Sequence, residues 1–473
     1  MRPIVGIDIA PFRTSDPAGS LEVEVEGDLP PDLRGRLLRT TPAGLAHAGW
    51  AAEHWFDGLC MLYRFTLGER PTFRSAWLDS DFKREVEAGR VTLGSFATRR
   101  NPPFWHWLLH PIQAQTDNCN VNVVRHGDRY LALTETNRTL EVDPETLAVR
   151  GRFAYEGEVA SAASTLAHPR YHAGRERIIT LCTTYGPSCT VEVAAMVPGS
   201  GARARLNAWS TPRWPYLHDF GLTDRFAVIL AVPFTLYGGR LLWATRGLAR
   251  FLRYDEGAPL RLIVVPLDGG EPRLFETDGC FIYHLFNAYE ADGEIILDAI
   301  EHGGGDAISK LEVAAIAERR PDLGGRASRL RLDLARGRVT REPLTDAVCE
   351  FPRINDRRAH MRPYRYGYAA SLVSLEADGE RRYEGSLLKV DTSGGETRAY
   401  ADHDWIPGEP IFVPRAADGD LAEDDGYVLS VASHRREERT RLWVLDATTL
   451  EPRATLTVPT LVPLGFHGHF ARA

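Results

Sequence analysis

Four histidines stand in distinctive settings far apart in the chain: His168 in "AHPRYH", His218 in "WPYLHDFGLTDRFAVIL", His284 in "FIYHLFNAYEADGEIILD" and His467 in "VPLGFHGHF". Neutral imidazole is the commonest side chain to ligate a transition metal. One such histidine alone reads as a core or surface residue. Four imidazoles from four distant segments point to a single metal at the centre of a large fold.

The segments that must bring them together read as strands. "RYLALTET" (129–136), "RIITLCTTYG" (177–186), "RFAVILAVPF" (225–234), "LRLIVVPLD" (260–268), "GEIILDAI" (293–300), "GYVLSVAS" (426–433) and "RLWVLDATT" (441–449) are short and apolar. They are rich in β-branched or aromatic residues and bounded by Gly, Asp or Pro. Turn signals such as "LDGG" and "ADGE" recur between them. Two stretches are predicted as helices, 308–320 and 81–89, and the arginine-rich stretch near 316–342 reads as a surface excursion. No motif repeats at a fixed period, which leaves open a propeller with irregular blades. Four-stranded blades of about 40–50 residues would place His168, His218 and His284 on successive blades. No linker divides the 473 residues, so 1–473 is expected to be one all-β domain.

Composition narrows the function. With 44% hydrophobic and 25% charged residues the chain suits a soluble globular protein with an ample core. The net charge of −8 comes with no basic stripe, which argues against nucleic acid. All but three of the 56 basic residues are arginine, the exceptions being Lys83, Lys310 and Lys389, a bias read as that of a GC-rich bacterial genome. The six cysteines form no CxxC pair and read as free thiols of a reducing compartment. The opening "MRPIVGIDIAPFRTSD" has no signal-peptide pattern and no run of 18 apolar residues follows, so the expectation is a cytoplasmic protein.

Several ordered motifs then give a resemblance. "VEGDLPPDLRGRLLRTTPAG" (25–44), "HWFDGLCMLYRFTL" (54–67), "TDNCNVNVV", "TETNRTLEVDPETL", "EFPRINDRR" and "GEPIFVP" run nearly end to end with the four histidine settings between them. The chain resembles the carotenoid cleavage oxygenases, nearest to the branch of animal β-carotene oxygenases and the retinoid isomerase of the vertebrate eye. The resemblance implies a seven-bladed β-propeller, with helical caps and loops over an iron-bearing face. It implies that His168, His218, His284 and His467 ligate one Fe(II). It also implies that Glu135, Glu350 and Glu409 hold the outer ring nitrogens of three of them, which fixes tautomer and aim. Thr134, beside Glu135, is expected on the dioxygen side. His54, His172 and His469 are expected to be structural, and Asp219 a local backbone cap.

The implied reaction is oxidative cleavage of a carbon–carbon double bond by dioxygen, giving two carbonyl products. Carotenoids and apocarotenoids lead as substrates. Stilbenoids are second, because Thr134 stands where the phenol-cleaving members of the family resemble one another in a lysine, and Asn101 where a tyrosine would help. A retinyl-ester isomerohydrolase is third. A non-catalytic lipid-binding propeller and a hydrolytic zinc enzyme are further alternatives. The first has no use for seven costly polar groups in one place, and catalytic zinc takes three protein ligands and a water. Two apolar segments, "NPPFWHWLLHPI" (101–112) and "LYGGRLLWATRGLARFLRY" (236–254), suit a patch in the lipid interface at a tunnel mouth. Phe104, Trp105, Trp107, Leu108, Trp243 and Phe251 are its expected members. Phe56, Phe104 and Trp243 are expected to line the tunnel.

Overall fold

The computed structural model describes residues 9–237, 241–319, 322–377, 379–416 and 421–473. The chain is all-β. Each apolar run contains a strand: Arg129–Leu133, Arg177–Tyr185, Phe226–Ala231, Leu260–Pro266, Glu294–His302, Gly426–His434 and Thr440–Asp446. Among the described residues the α-helices are short: Asp81–Glu87, Phe104–Leu109, Val313–Ala317 and Asp356–Ala359. The first begins where Ser80 caps the Lys83 amide at 3.1 Å, and it buries Phe82 and Val86, four residues apart on one face.

The helix predicted over 308–320 is interrupted. A 3-10 turn, Ser309–Leu311, is separated from Val313–Ala317 by Glu312, whose backbone is extended (φ −63, ψ 140). Glu312 bridges to His54, and its carboxylate binds Arg250 at 2.6 Å. Tertiary contacts therefore override local helix preference here. Arg320, at the predicted end, lies outside the described residues.

The arginine-rich stretch near 316–342 is not a surface excursion. Gly325–Asp333 is a central strand with Leu330 and Leu332 fully buried, and Arg329 grips the buried Asp298 through two 2.8 Å bonds. Its alternation of arginine and leucine is the period-two pattern of a strand. The density of arginine hides that pattern.

The sheets are antiparallel, apart from the short parallel pairing of Glu156–Gly157 with Ala202–Thr211, and most are built from strands close in sequence. Asn122–His126, Arg129–Leu133, Leu140–Val142 and Val149–Arg152 form one; Phe220–Leu222, Phe226–Ala231, Leu260–Pro266 and Arg273–Thr277 form another. The two chain ends share sheets. Gly468–Arg472 pairs with Gly35–Gly44, and Glu24–Gly27 pairs with Pro452–Val458. The longest strand, Arg338–Ile354, pairs with Gly325–Asp333 as far as Cys349 and with Tyr366–Ala377 from Glu350 onward. The first strands of successive sheets touch in an arc. Phe220–Leu222 meets Phe281–Ala291, which meets the end of Arg338–Ile354; Ile411–Pro414, Gly468–Arg472 and Asn122–His126 continue it. Apolar clusters fill the space between sheets, as where Tyr63 and Phe65 pack with Leu429, Leu442 and Val444.

Candidate metal centre

The four histidines lie within or beside strands. His168 lies between Ser164–Thr165 and Arg170–His172, and His218 two residues before Phe220–Leu222. His284 sits within Phe281–Ala291, and His467 directly before Gly468–Arg472. Pairing of Phe281–Ala291 with its neighbour shifts register between Ile282 and Leu285. Such a bulge re-aims the side chains it carries, here Tyr283 and His284. The result is one cluster in which a ligand atom from each histidine lies within 4.8 Å of the others.

Three glutamates hold the outer ring nitrogens. His284 Nδ1 donates to Glu350 at 2.6 Å and His467 Nδ1 to Glu409 at 2.7 Å. His218 Nδ1 donates to Glu135, which follows the strand Arg129–Leu133 by two residues. Glu350 stands where the longest strand changes partner. The next residue, Phe351, has φ 55, a conformation that costs a bulky side chain energy and marks a locally imposed geometry. Glu409 is 1% exposed between Arg39 and Arg353. Burial alone would raise its pKa. Arg353, His467 and Arg39 together hold it well below the usual carboxylate range. Glu350 is likewise held low against burial, by His284 and then His302.

Charge among the rings follows. Burial, then repulsion from the other three rings, drives His168 well below the ordinary imidazole value. Burial lowers His467 to about 4 against the pull of Glu409. For His218 burial also pulls downward, but the Glu135 carboxylate outweighs it and the net shift is upward.

These bonds fix which nitrogen is free. An ionised carboxylate only accepts, so Nδ1 of His218, His284 and His467 carries the proton and Nε2 carries a lone pair. His284 Nε2 faces His218 Nε2 and His467 Nε2, each at 3.1 Å. Lone pairs that close need a cation between them, a proton or a metal. His168 Nε2 is buried and has no hydrogen-bond partner among the described residues. Imidazole nitrogens about 2.1 Å from a metal and at right angles stand about 3.0 Å apart. The four residues fit a metal ion.

The cluster forms part of the wall of a cavity of about 740 Å³. Thr134, Phe56, Tyr283, Phe351 and Phe466 line it with His218, His284 and His467. The Phe351 ring lies 5.8 Å from that of His284, tilted against it, and 5.5 Å from that of His467, edge to face. Phe104 (63% exposed) and Trp243 (45%) stand outside this wall, whereas Ile112, Leu241, Leu242 and Leu248 from the same two segments line it. Trp105 and Leu108 are exposed; Trp107 is half-buried, and Phe251 packs against the core. Gly238, Gly239 and Arg240 of the second segment lie outside the described residues.

The two segments are bonded into one unit. Trp107 Nε1 donates to the Trp243 carbonyl at 2.9 Å and the Trp243 amide to the Pro111 carbonyl at 2.6 Å. The residues just ahead of the first segment join in, with the Ala249 amide donating to the Phe96 carbonyl at 2.6 Å and the Arg100 amide to the Thr245 carbonyl at 2.8 Å. Asp57 anchors this unit from beneath. Its carboxylate accepts the amides of Phe96, Ala97 and Thr98 at 2.6–2.8 Å.

His54, His172, His469 and Asp219 lie outside the four-histidine cluster. His54 Nε2 bonds the Ile308 carbonyl at 3.0 Å and His172 Nε2 the Asp224 carbonyl at 3.0 Å. His469 sits in the last strand and lines a different cavity. Asp219 accepts the Phe220 amide at 2.8 Å and clasps Arg170. Four residues of the site escape sequence reasoning: Arg39, Arg353, His302 and Lys310. The one signal for them is that Lys310 is one of three lysines in a chain whose other basic residues are arginine.

Residues 9–472 match the family model described as "RPE65: Retinal pigment epithelial membrane protein". The chain is 32% identical to the carotenoid isomerooxygenase of Galleria mellonella, over 95% of this chain and 93% of that one. It is 31% identical to the apocarotenoid-15,15'-oxygenase of Synechocystis sp., over 95% and 92%. Cobalt-substituted Synechocystis apocarotenoid oxygenase superposes with a TM-score of 0.84 at 28% identity, covering 97% of each chain. Family-wide motifs, fold and the converging histidines thus agree, and the chain belongs to the RPE65, or carotenoid cleavage oxygenase, family.

Proposed function

We propose that this chain is a non-haem Fe(II) dioxygenase that cleaves a double bond of a carotenoid or apocarotenoid into two carbonyl products. The observation that carries the reading is the convergence of imidazole nitrogens on the wall of an apolar cavity. The names of the relatives supply the substrate class. Fe(II) held by His168, His218, His284 and His467 would bind and activate dioxygen, chemistry that redox-inert zinc cannot supply.

The protein's own residues orient and exclude. Glu135, Glu350 and Glu409 fix the tautomer and the aim of three imidazoles. Phe56, Tyr283, Phe351 and Phe466 give a conjugated chain flat aromatic surfaces and keep water from the reacting bond. Thr134 lines the same wall, and we place it on the dioxygen side.

The architecture we assign is a single seven-bladed β-propeller with helical caps and loops over the iron face. Support comes from seven runs of four antiparallel strands, two of which share Arg338–Ile354. Phe104, Trp105, Leu108 and Trp243, standing exposed beside the cavity-lining residues of the same segments, would rest on a membrane surface and admit apolar substrate. No helix among the described residues is long and apolar enough to cross a membrane.

Anaerobic loading with Fe(II), then exposure to air with an apocarotenal and with a hydroxystilbene, tests the reading by mass spectrometry. Two carbonyl fragments from the apocarotenal are expected, with their double-bond geometry reporting any accompanying isomerisation. Fragments from the stilbene alone would overturn the substrate class.

A further inference from the structure

Glu350 is gripped at both oxygens. Oε2 accepts His284 Nδ1 at 2.6 Å and the Phe351 amide at 2.5 Å, while Oε1 accepts His302 Nε2 at 2.8 Å. His302 is 2% exposed, and its other nitrogen is occupied too. Lys310 Nζ lies 2.9 Å from His302 Nδ1 and donates to the Gly324 carbonyl at 3.0 Å. His284 and His302 stand on paired neighbouring strands, Phe281–Ala291 and Glu294–His302, so Glu350 is held from two strands at once.

The donor inventory sets the direction of this chain. An ammonium only donates, so His302 Nδ1 must accept. An ionised carboxylate only accepts, so His302 Nε2 must donate. Both ends demand the same neutral tautomer. A lysine suits the outer end because it is a point donor, whereas an arginine fork presents paired donors to a single ring nitrogen.

We propose that Lys310 and His302 are positioning residues: Lys310 fixes His302 as its Nε2–H tautomer, and His302 holds Glu350 so that His284 stays aimed at the metal. The inference rests on the four histidines being a metal site. Neither residue is one of the four ligands, although both line the cavity. Partners beyond the ligands typically change metal affinity or activity by about 10–100-fold.

The test is Co(II) titration of the full chain, read by visible absorption, with Lys310→Met, His302→Phe and the double variant beside it. Each single variant is expected to bind Co(II) about tenfold more weakly and to shift the ligand-field bands. The double variant is expected to be no worse than His302→Phe, because Lys310 acts through His302. Unchanged affinity and bands in both single variants, or additive losses in the double, would overturn the inference. A wild-type protein that takes up no Co(II) at the cluster would instead overturn the metal site itself. Should the variants fail to fold, a neutron structure of the wild type decides. A proton on His302 Nε2 supports the proposal, and one on Nδ1 contradicts it.

Discussion

The three carboxylates make the same bond to a histidine but are embedded differently, and their removal should differ accordingly. Glu409 neutralises Arg39, itself 1% exposed, at 3.2 Å and Arg353 at 2.8 Å. Glu409→Gln leaves a buried guanidinium unpaired, which should destabilise the fold by about 3–5 kcal/mol in chemical denaturation. Glu135 is 22% exposed at its side chain. Glu135→Gln should leave the denaturation midpoint unchanged yet weaken metal binding by about tenfold, and the reverse pattern in the two variants would contradict this assignment. The four histidines were legible because each sits in a recognisable segment of the family. Arg39 and Arg353 were not, because in a chain this rich in arginine a buried guanidinium looks like dozens of surface ones. Lys310 lies in a region whose helix was predicted too long, and His302 ends a strand two residues past the apolar run that marked it.

At the level of elements, Asp57 turns a loop into a platform by accepting three consecutive amides, and the paired segments above it carry the exposed aromatics. Trp105 and Leu109 are 69% and 71% exposed, the most exposed large apolar side chains of the first segment along with Ile112. Trp105→Asp with Leu109→Asp should abolish most co-sedimentation with lipid vesicles while turnover of detergent-dispersed substrate persists. Unchanged co-sedimentation would return the segment to an ordinary surface role. The sequence pattern located both segments and misjudged which residues face inward. Spacing along an irregular loop does not say which side chain turns toward a cavity, whereas strand alternation does. That is also why Arg326–Leu332 was open to misreading: its period of two was present but written in arginine and leucine.

For the whole molecule, burial of neutral histidines links stability to pH. Burial, against a helping bond from Ile308, lowers His54 to about 3 from 6.5; burial also takes His360 and His469 to about 4. The unfolded chain therefore binds protons first as pH falls. This contribution is fully present above 6.5 and is lost progressively below it, by about 1.4 kcal/mol per pH unit for each group. Melting temperature should drop between about pH 6.5 and about pH 4.5, and a flat profile would show that these rings are not held neutral. The sheet order was legible only in outline. Apolar runs marked the strands, but the closure that joins Gly35–Gly44 to Gly468–Arg472 spans nearly the whole chain, and no local pattern encodes it. That closure seats His467 against the other three histidines. The most direct test of the account is a crystal of Fe(II)-loaded protein with diffraction recorded at the iron absorption edge. One anomalous peak enclosed by His168, His218, His284 and His467 is expected; a protein carrying one iron per chain with its peak anywhere else would contradict it.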